Sequence, residues 1–173
     1  MFYKTLIAAA LALAIPAAAV AQNGKPSDAQ IAHIAYTGGM IDITAGKQAL
    51  AKSHSREVRA FAREMVRDHS AVNDQAQILI KRIGVTPEAN PTSASLQAAA
   101  TAKLEAFAKL NGKAFDRAYV ENEVAYHKAV NGAVESTLIP AAENGELKAL
   151  LQTALKLFQE HQHHAEMLAD KLN

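Results

Sequence analysis

The clearest pattern in the sequence is a heptad repeat of apolar residues between Val58 and Ile83. Alternating steps of four and three residues from Val58 meet apolar side chains at every position except His69, which lies at the centre. Such spacing places the side chains on one face of a helix that packs into a bundle core. An unsatisfied polar group in a core costs about 1–3 kcal/mol. The pattern therefore predicts a partner for this imidazole.

The same periodicity, together with capping and breaking residues, predicts five helices. Ser27 or Asp28 can cap the first helix and Ser55 the second, because their side chains accept hydrogen bonds from free backbone N–H groups. Gly84 stops the second helix, and Pro140 ends the fourth. The predicted helices lie at about residues 28–52, 55–83, 93–110, 113–138 and 144–171.

Four of these helices are long, whereas the third is Ala-rich, carries no histidine and is interpreted as a connection. We therefore predict an all-α fold, a four-helix bundle with an additional connecting helix. Half of the residues are hydrophobic but few are aromatic, which suits slender, closely packed helices. Gly38 and Gly39 lie inside the first helix. They indicate either close approach of a neighbouring helix or backbone access for a ligand.

The first 21 residues have the features of a secretory signal peptide. Lys4 gives a positive start, an apolar run follows from Leu6 to Val20, and small residues flank the end of that run. Pro16 interrupts the run, which is short for a membrane anchor. We expect residues 1–21 to be cleaved, residues 22–27 to form a polar leader, and residues 28–172 to form one domain of an exported protein.

Composition and charge exclude several classes of function. The chain has no cysteine, so disulfides, thiolate chemistry and iron–sulfur clusters are ruled out. Its formal charge of +1 falls to about zero without Lys4, and no basic stripe is present. We therefore predict no nucleic-acid partner, and no transmembrane segment after signal cleavage. Ala-rich exposed faces leave a homo-oligomer possible, and partner proteins are not indicated.

Four polar residues interrupt the core faces of the four long helices at similar depth. Asp42, His69, His127 and His161 each lie within about three residues of the middle of a predicted helix, which is a spread of roughly 4 Å along the axis. Neighbouring antiparallel helices of a bundle share their midpoint level. One carboxylate and three imidazoles are therefore predicted to meet in a single layer of the core.

Further polar residues accompany this layer. Glu123 precedes His127 by four residues and shares its helix face. The remaining candidates are extra ligands or carboxylates that orient an imidazole, and they are His164, Asp68, Asp116 and Glu160.

Two interpretations of the layer remain open. Imidazoles and carboxylates together suit a divalent transition metal such as Zn, Fe, Mn, Ni or Cu, held by His69, His127, His161, Asp42 and Glu123. Alternatively, hydrogen bonds between the histidines and the acids fix the register of the helices without any metal.

Several segments together resemble a known family. They are Gly38-Gly39-Met40, residues 58–69 (VRAFAREMVRDH), residues 110–120 (LNGKAFDRAYV), Tyr126-His127 and the segment ending Glu160-His161. Over about residues 28–170 the chain is similar to the bacterial exported family called domain of unknown function 4142. The resemblance implies a ferritin-like helical bundle that is periplasmic, outer-membrane-associated or secreted, with no settled activity. The family's histidine positions correspond to His69, His127 and His161, and Asp42 stands where the family tends to have Glu.

Three functions are compatible with these observations. The first is a metal-binding envelope protein, and the second is a non-catalytic structural or stress-response protein with a buried histidine layer. The third is a ferritin-like oxidase or catalase, whose di-iron site needs about four carboxylates and a Glu-x-x-His motif on each of two helices. This chain does not supply that motif twice. Catalytic residues are not indicated, and whether the protein is an enzyme stays open.

Overall fold

The computed structural model describes residues 24–172, so the predicted signal peptide lies outside the described residues. The described chain is helical, and no strand is found between residues 24 and 172. A π-helical segment, Val134–Leu138, follows the fourth helix. The α-helices are α1 (Asp28–Lys52), α2 (Arg56–Arg82), α3 (Pro91–Ala108), α4 (Gly112–Ala133), α5 (Ile139–Ala141) and α6 (Gly145–Leu172).

Capping side chains fix where the helices begin. The Ser27 hydroxyl accepts from the Gln30 backbone N–H while the Gln30 side chain accepts from the Ser27 N–H, which is a complete capping box. Ser55 caps α2 as predicted. The predicted start of α3 at residue 93 is wrong by two residues, because Asn90 is the cap and Pro91 takes the first helical position. Proline is favoured there because its missing N–H would have no helical partner.

The predicted end of the fourth helix is also wrong. Pro140 does not terminate the helical path but lies inside α5, directly after the π-helical segment. Proline lacks an N–H and its ring clashes with the carbonyl four residues earlier. The wider turn, in which the Ile139 N–H donates to the Val134 carbonyl, brings the chain past this proline.

The long helices pack in two pairs that close into a bundle, with α1 against α2 and α4 against α6. Contacts between α2 and α6 and between α1 and α4 join the pairs, and α3 packs on the outside of α1. The prediction of an all-α fold is confirmed. The ferritin-like assignment is consistent with this arrangement and stays a prediction.

Two hydrophobic clusters fill the two ends of the bundle. The first core cluster is built around aromatic side chains of α2 and α4, including Phe61, Phe115 and Tyr119. The second core cluster contains Ile31 of α1 and Leu151 of α6, with the π-helical segment and α5. The helices α1, α2 and α6 contribute residues to both clusters, and α4 contributes to the first and packs against the second through Val130. Between the clusters, each helix carries the buried polar residues predicted from its midpoint.

The order of these features along each helix gives the chain direction. On α1 and α6 the second cluster precedes the polar residue and the first cluster follows it, whereas on α2 and α4 the order is reversed. Packed neighbours among the four helices therefore run antiparallel. The α3 helix carries the chain back between the two ends, since Leu96 packs on the second cluster and Phe107 belongs to the first.

Glycine residues let α1 and α2 approach closely. A Cβ atom at Gly39 would lie 2.4 Å from the Asn73 Oδ1, and one at Gly46 would lie 2.9 Å from the Val66 Cγ2. Gly38 is less crowded, and its carbonyl accepts a hydrogen bond from the Tyr126 hydroxyl at 3.1 Å. Close packing of α1 against α2 therefore explains the glycine at position 39.

Among the described residues, no helix is both long enough and apolar enough to cross a bilayer.

Candidate metal centre

Three imidazole rings form a nearly equilateral triangle between the two core clusters. The ring centres of His69 and His127 are 5.6 Å apart, those of His69 and His161 are 5.2 Å apart, and those of His127 and His161 are 5.5 Å apart. Each side chain is at most 2% exposed. One nitrogen from each ring lies within 4.8 Å of the other two. The structure thus brings together the three histidines that the midpoint argument placed in one layer.

Hydrogen bonds on the outer side of two rings fix which nitrogen is free. The His127 Nδ1–H donates to the carbonyl oxygen of Glu123 at 3.0 Å. The His161 Nε2–H donates to the Asp68 carboxylate at 3.1 Å. The opposite nitrogens, Nε2 of His127 and Nδ1 of His161, are buried without a partner among the described residues. In the neutral rings these nitrogens carry lone pairs, as metal-ligating histidines with an outer hydrogen-bond acceptor do.

His69 differs from the other two because neither ring nitrogen has a hydrogen-bond partner in the described chain. Its Nε2 lies 3.5 Å from the Asp42 Oδ2, too far for a good hydrogen bond. The ring is instead held by packing, since the Phe158 ring stacks on it with a centre-to-centre distance of 4.8 Å and an interplanar angle of 13°. Phe158 therefore orients this imidazole by stacking, and both ring nitrogens stay without a hydrogen bond in the described chain.

Asp42 and Glu123 form a buried carboxyl pair beside the histidine triangle. Burial and the neighbouring Glu123 raise the pKa of Asp42 well above its usual range. Burial likewise raises the pKa of Glu123 to about 8. Burial therefore favours the protonated form of each group, and two charged carboxylates cannot be stable this close together in a core. The pair, with His127, forms a second group of donor atoms within 4.8 Å of one another.

The same burial keeps the imidazoles neutral. It lowers the pKa of His69 well below its ordinary value, and the neighbouring imidazoles lower it further. It lowers the pKa of His127 to about 4. Burial also lowers the pKa of His161, with the Asp68 carboxylate opposing the shift. Neutral imidazole is the form that binds metals, so the rings are ready to act as ligands at neutral pH.

The spacing of the rings fits a single metal ion. At a metal–nitrogen distance of about 2.0–2.1 Å, each ring centre lies roughly 3.2 Å from the ion, so tetrahedral ligands place their ring centres roughly 5.2 Å apart. The observed separations of 5.2–5.6 Å agree with this geometry. A bound metal would also be a partner for the imidazole nitrogens that have no hydrogen bond among the described residues.

The secondary candidates have different environments. Asp68 lies behind His161 as its hydrogen-bond acceptor. His164 is half-exposed, and its Nδ1 pairs with the Glu64 carboxylate at 2.8 Å rather than with Glu160. Asp116 is buried, but it belongs to none of the donor groups found among the described residues. Glu160 is exposed, and so is His163, with which it forms a Glu-x-x-His spacing.

Sequence reasoning missed several residues around the site. Glu64 forms a third donor group with Asp68 and His161, on the outer side of the triangle. Asn73 is buried one turn beyond His69, and its Nδ2 has no partner in the described chain. A signal for Asn73 was available, because it lies four residues from His69 and shares its helix face. Nothing in the heptad pattern indicated Glu64, which lies outside the predicted core stripe.

Comparison with known proteins identifies a family but no function. The model of the family described as "Domain of unknown function (DUF4142)" matches residues 13–168. Comparisons with curated proteins and with solved structures gave no match. Any chemistry of this site therefore has to be argued from its own residues.

Proposed function

The chain belongs to the DUF4142 family, and we propose that it binds one divalent transition-metal ion through His69, His127 and His161. The observation that supports this proposal is the triangle of buried imidazoles with unpartnered nitrogens. In a metal-free core each such nitrogen would cost about 1–3 kcal/mol. A structural polar layer would be expected to pair these nitrogens with one another or with the acids. Here the hydrogen bonds lie on the outer sides of the rings instead.

Asp42 and Glu123 supply the next donors. Asp42 is close to the Nε2 of His69 and is the better placed fourth donor, whereas the Glu123 carboxyl lies beside the outward-facing Nδ1 of His127. Burial raises the pKa of both groups in the metal-free chain. Binding of a cation would release a proton from this pair, because a carboxyl group ligates as its anion. Metal affinity is therefore expected to rise with pH.

The donor set decides which ions fit. Three imidazoles and a carboxylate favour Zn, Cu, Ni or Fe over Mg and Ca, which prefer oxygen ligands. A bound ion of this kind supplies Lewis acidity to whatever reaches its remaining position. The two buried carboxyls at the triangle are fewer than the four of a ferritin-like di-iron centre. We therefore do not propose ferroxidase or catalase activity.

We also propose that the protein is exported. Residues 1–21 support this with a positive start, an apolar run and small residues at the predicted cleavage site. The cysteine-free composition is compatible with an oxidising compartment. Intact mass measurement of the protein from the cell envelope tests the proposal, and a mature chain starting at Gln22 is the expected result. A chain that retains its first 21 residues would contradict cleavage.

The metal proposal is tested by elemental analysis of untagged protein. We expect close to one equivalent of a transition metal per chain. His161→Ala should lower the content severalfold or more, because it removes one of three imidazole ligands. His163→Ala is the matched control, since this exposed histidine is two residues away on the same helix and should leave the content unchanged.

Two results would overturn the proposal. One is wild-type protein that stays metal-free after incubation with Zn, Ni, Cu and Fe and shows no rise in its melting temperature. The other is an equal loss of metal in both histidine variants, which would assign binding to the exposed histidine cluster. Because His161→Ala leaves a cavity in the core, circular dichroism must first show that the variant keeps the helical content of the wild type.

A further inference from the structure

A cavity of about 640 Å³ lies beside the second core cluster and reaches the histidine layer. Its lining extends from exposed residues such as Lys81 and Pro87 at one side to the buried Asp42, His69 and Asn73 at the other. The volume lies within the range of roughly 300–1,000 Å³ that is typical of small-molecule sites. The cavity therefore connects the surface with the most polar part of the core.

The walls of this cavity are mainly apolar. They include Ile34 of α1, Ile80 of α2 and Leu151 of α6, together with Val134 and Leu138 of the π-helical segment. π-Helical turns frequently occur at functional sites, where they displace one face of a helix. A wall of this composition fits a hydrocarbon chain or ring.

Small residues at core positions explain why the space is open. Val72 and Ala76 continue the heptad stripe of α2 beyond His69, yet both are only half-buried and line the cavity. On the facing helix, Gly38 and Gly39 contribute no side chains. At these two positions the predicted core stripe of α2 is a cavity wall, whereas Leu79 and Ile83 further along the stripe pack in or against the second core cluster.

Asn73 is a buried polar side chain at the inner end of the cavity. Asn73 is 5% exposed, it lines the cavity, and its Nδ2 has no partner among the described residues. The crowding of Gly39 against the Asn73 side chain holds this amide in place. His69 lies one turn away on the same face and also lines the cavity. A ligand hydroxyl at this end would meet the Asn73 amide, whose oxygen can accept its hydrogen bond.

We propose that this cavity binds a mainly hydrocarbon small molecule that ends in an uncharged oxygen function, an alcohol or a phenol, with the hydroxyl hydrogen-bonded to the side-chain amide of Asn73. The mainly apolar walls argue for an uncharged end, because a charged carboxylate would lose its hydration on entering such a cavity. The proposal does not depend on the metal, because the cavity and Asn73 are present in the metal-free chain.

The test is calorimetric titration of the metal-free chain from Gln22 onward, which contains every residue that the structure describes. The probes are hexan-1-ol, octan-1-ol and decan-1-ol, with octanoate at pH 8 as the charged counterpart. Since burial of a methylene contributes about 0.8 kcal/mol, each pair of added methylenes should lower the Kd roughly tenfold. Octanoate should bind at least tenfold more weakly than octan-1-ol.

Two variants test the site itself. Ala76→Phe fills the cavity and should abolish binding, whereas Ala169→Phe adds the same ring at a half-buried alanine beside the first core cluster and should leave the Kd unchanged. Asn73→Leu keeps the side-chain size but removes the amide. It should weaken octan-1-ol binding by roughly two- to tenfold, the value of one hydrogen bond.

Several outcomes would overturn the proposal. They are the absence of saturable binding by decan-1-ol, equal affinity of the wild type and Ala76→Phe, and octanoate binding as tightly as octan-1-ol. An unchanged Kd in Asn73→Leu would refute the assigned role of the amide. None of these measurements involves a metal, and both cavity variants leave the three histidines intact. Failure of this proposal is therefore distinguishable from failure of metal binding.

Discussion

Raising the pH should destabilise the metal-free protein through one buried carboxyl group. Burial raises the pKa of Glu123 from 4.5 to about 8, so the folded chain keeps a proton that the unfolded chain releases near pH 4.5. A raised pKa contributes stability that is fully present below pH 4.5 and is lost as the pH rises towards 8. The three histidines oppose this loss only weakly above pH 7, because their lowered pKa values keep them neutral in the folded chain and unfolded imidazoles, with a pKa of about 6.5, are already mostly neutral.

The size of the effect follows from proton linkage. While Glu123 is protonated in the folded state and ionised in the unfolded state, stability falls by about 1.4 kcal/mol per pH unit. The slope levels off as the folded-state pKa is reached, so the loss from this carboxyl between pH 7 and 8 is about 1 kcal/mol. Asp42, whose pKa burial also raises, adds to the loss.

The assay is urea unfolding followed by circular dichroism at pH 7.0, 7.5 and 8.0, with a chelator present. Glu123→Gln keeps the shape of the side chain but cannot ionise, so its free energy of unfolding should fall less steeply than that of the wild type. Glu121→Gln is the matched control, because Glu121 is exposed on the same helix. This control should keep the wild-type slope.

A wild-type stability that stays flat or rises between pH 7 and 8 would refute the reasoning. So would a Glu123→Gln variant with the wild-type slope, since the titrating group would then lie elsewhere. An equal flattening in Glu121→Gln would show that general charge, rather than the buried pair, controls the slope.

Three further predictions concern the outer contacts of the site, the helix packing and the stability of the protein in acid. Asp68→Ala removes the acceptor that orients one imidazole and should weaken metal binding 10- to 100-fold in a chelator competition, whereas exposed Asp74→Ala should not change it. Gly39→Ala forces a Cβ against Asn73 and should lower the free energy of unfolding by about 1–3 kcal/mol. Gly132→Ala, with no atom near its added Cβ, should raise it by about 0.5–1 kcal/mol. Below pH 6.5 the metal-free protein should lose stability, because the three central imidazoles have lowered pKa values and take up protons first in the unfolded state. The two buried carboxyls act in the opposite direction, but they are outnumbered by the imidazoles. Thermal melts from pH 6.5 to 5 check this prediction.

The depth of the histidine layer could be predicted because helix geometry converts sequence position into distance. His69, His127 and His161 lie near the middle of helices of similar length, and antiparallel helices that pack side by side share their midpoints. Asp42 lies near the middle of α1, so its depth could be predicted in the same way. Prediction of the depth of the layer therefore required only helix boundaries that were correct to a few residues. The error at the start of α3 did not affect it.

The partners of each histidine could not be predicted in the same way. Asp68 reaches His161 because α2 packs against α6, and heptad spacing does not state which helices are neighbours. Asp68 also lies outside the core stripe of its own helix. Likewise, Val72 and Ala76 match the apolar pattern but line a cavity. Whether such positions are filled depends on the side chains of the facing helices, which the pattern of α2 does not contain.

The distribution of core residues explains how the bundle tolerates its polar centre. Tyr119, Phe61 and Met65 are fully buried at one end, and a second set of aliphatic residues holds the other end. Each cluster ties all four long helices together, so the layer between them is positioned from both sides. The imidazoles can then keep unpartnered nitrogens without the helices shifting to pair them. Because a preorganised donor set loses little conformational freedom on binding an ion, the two clusters provide the rigidity that a metal centre requires.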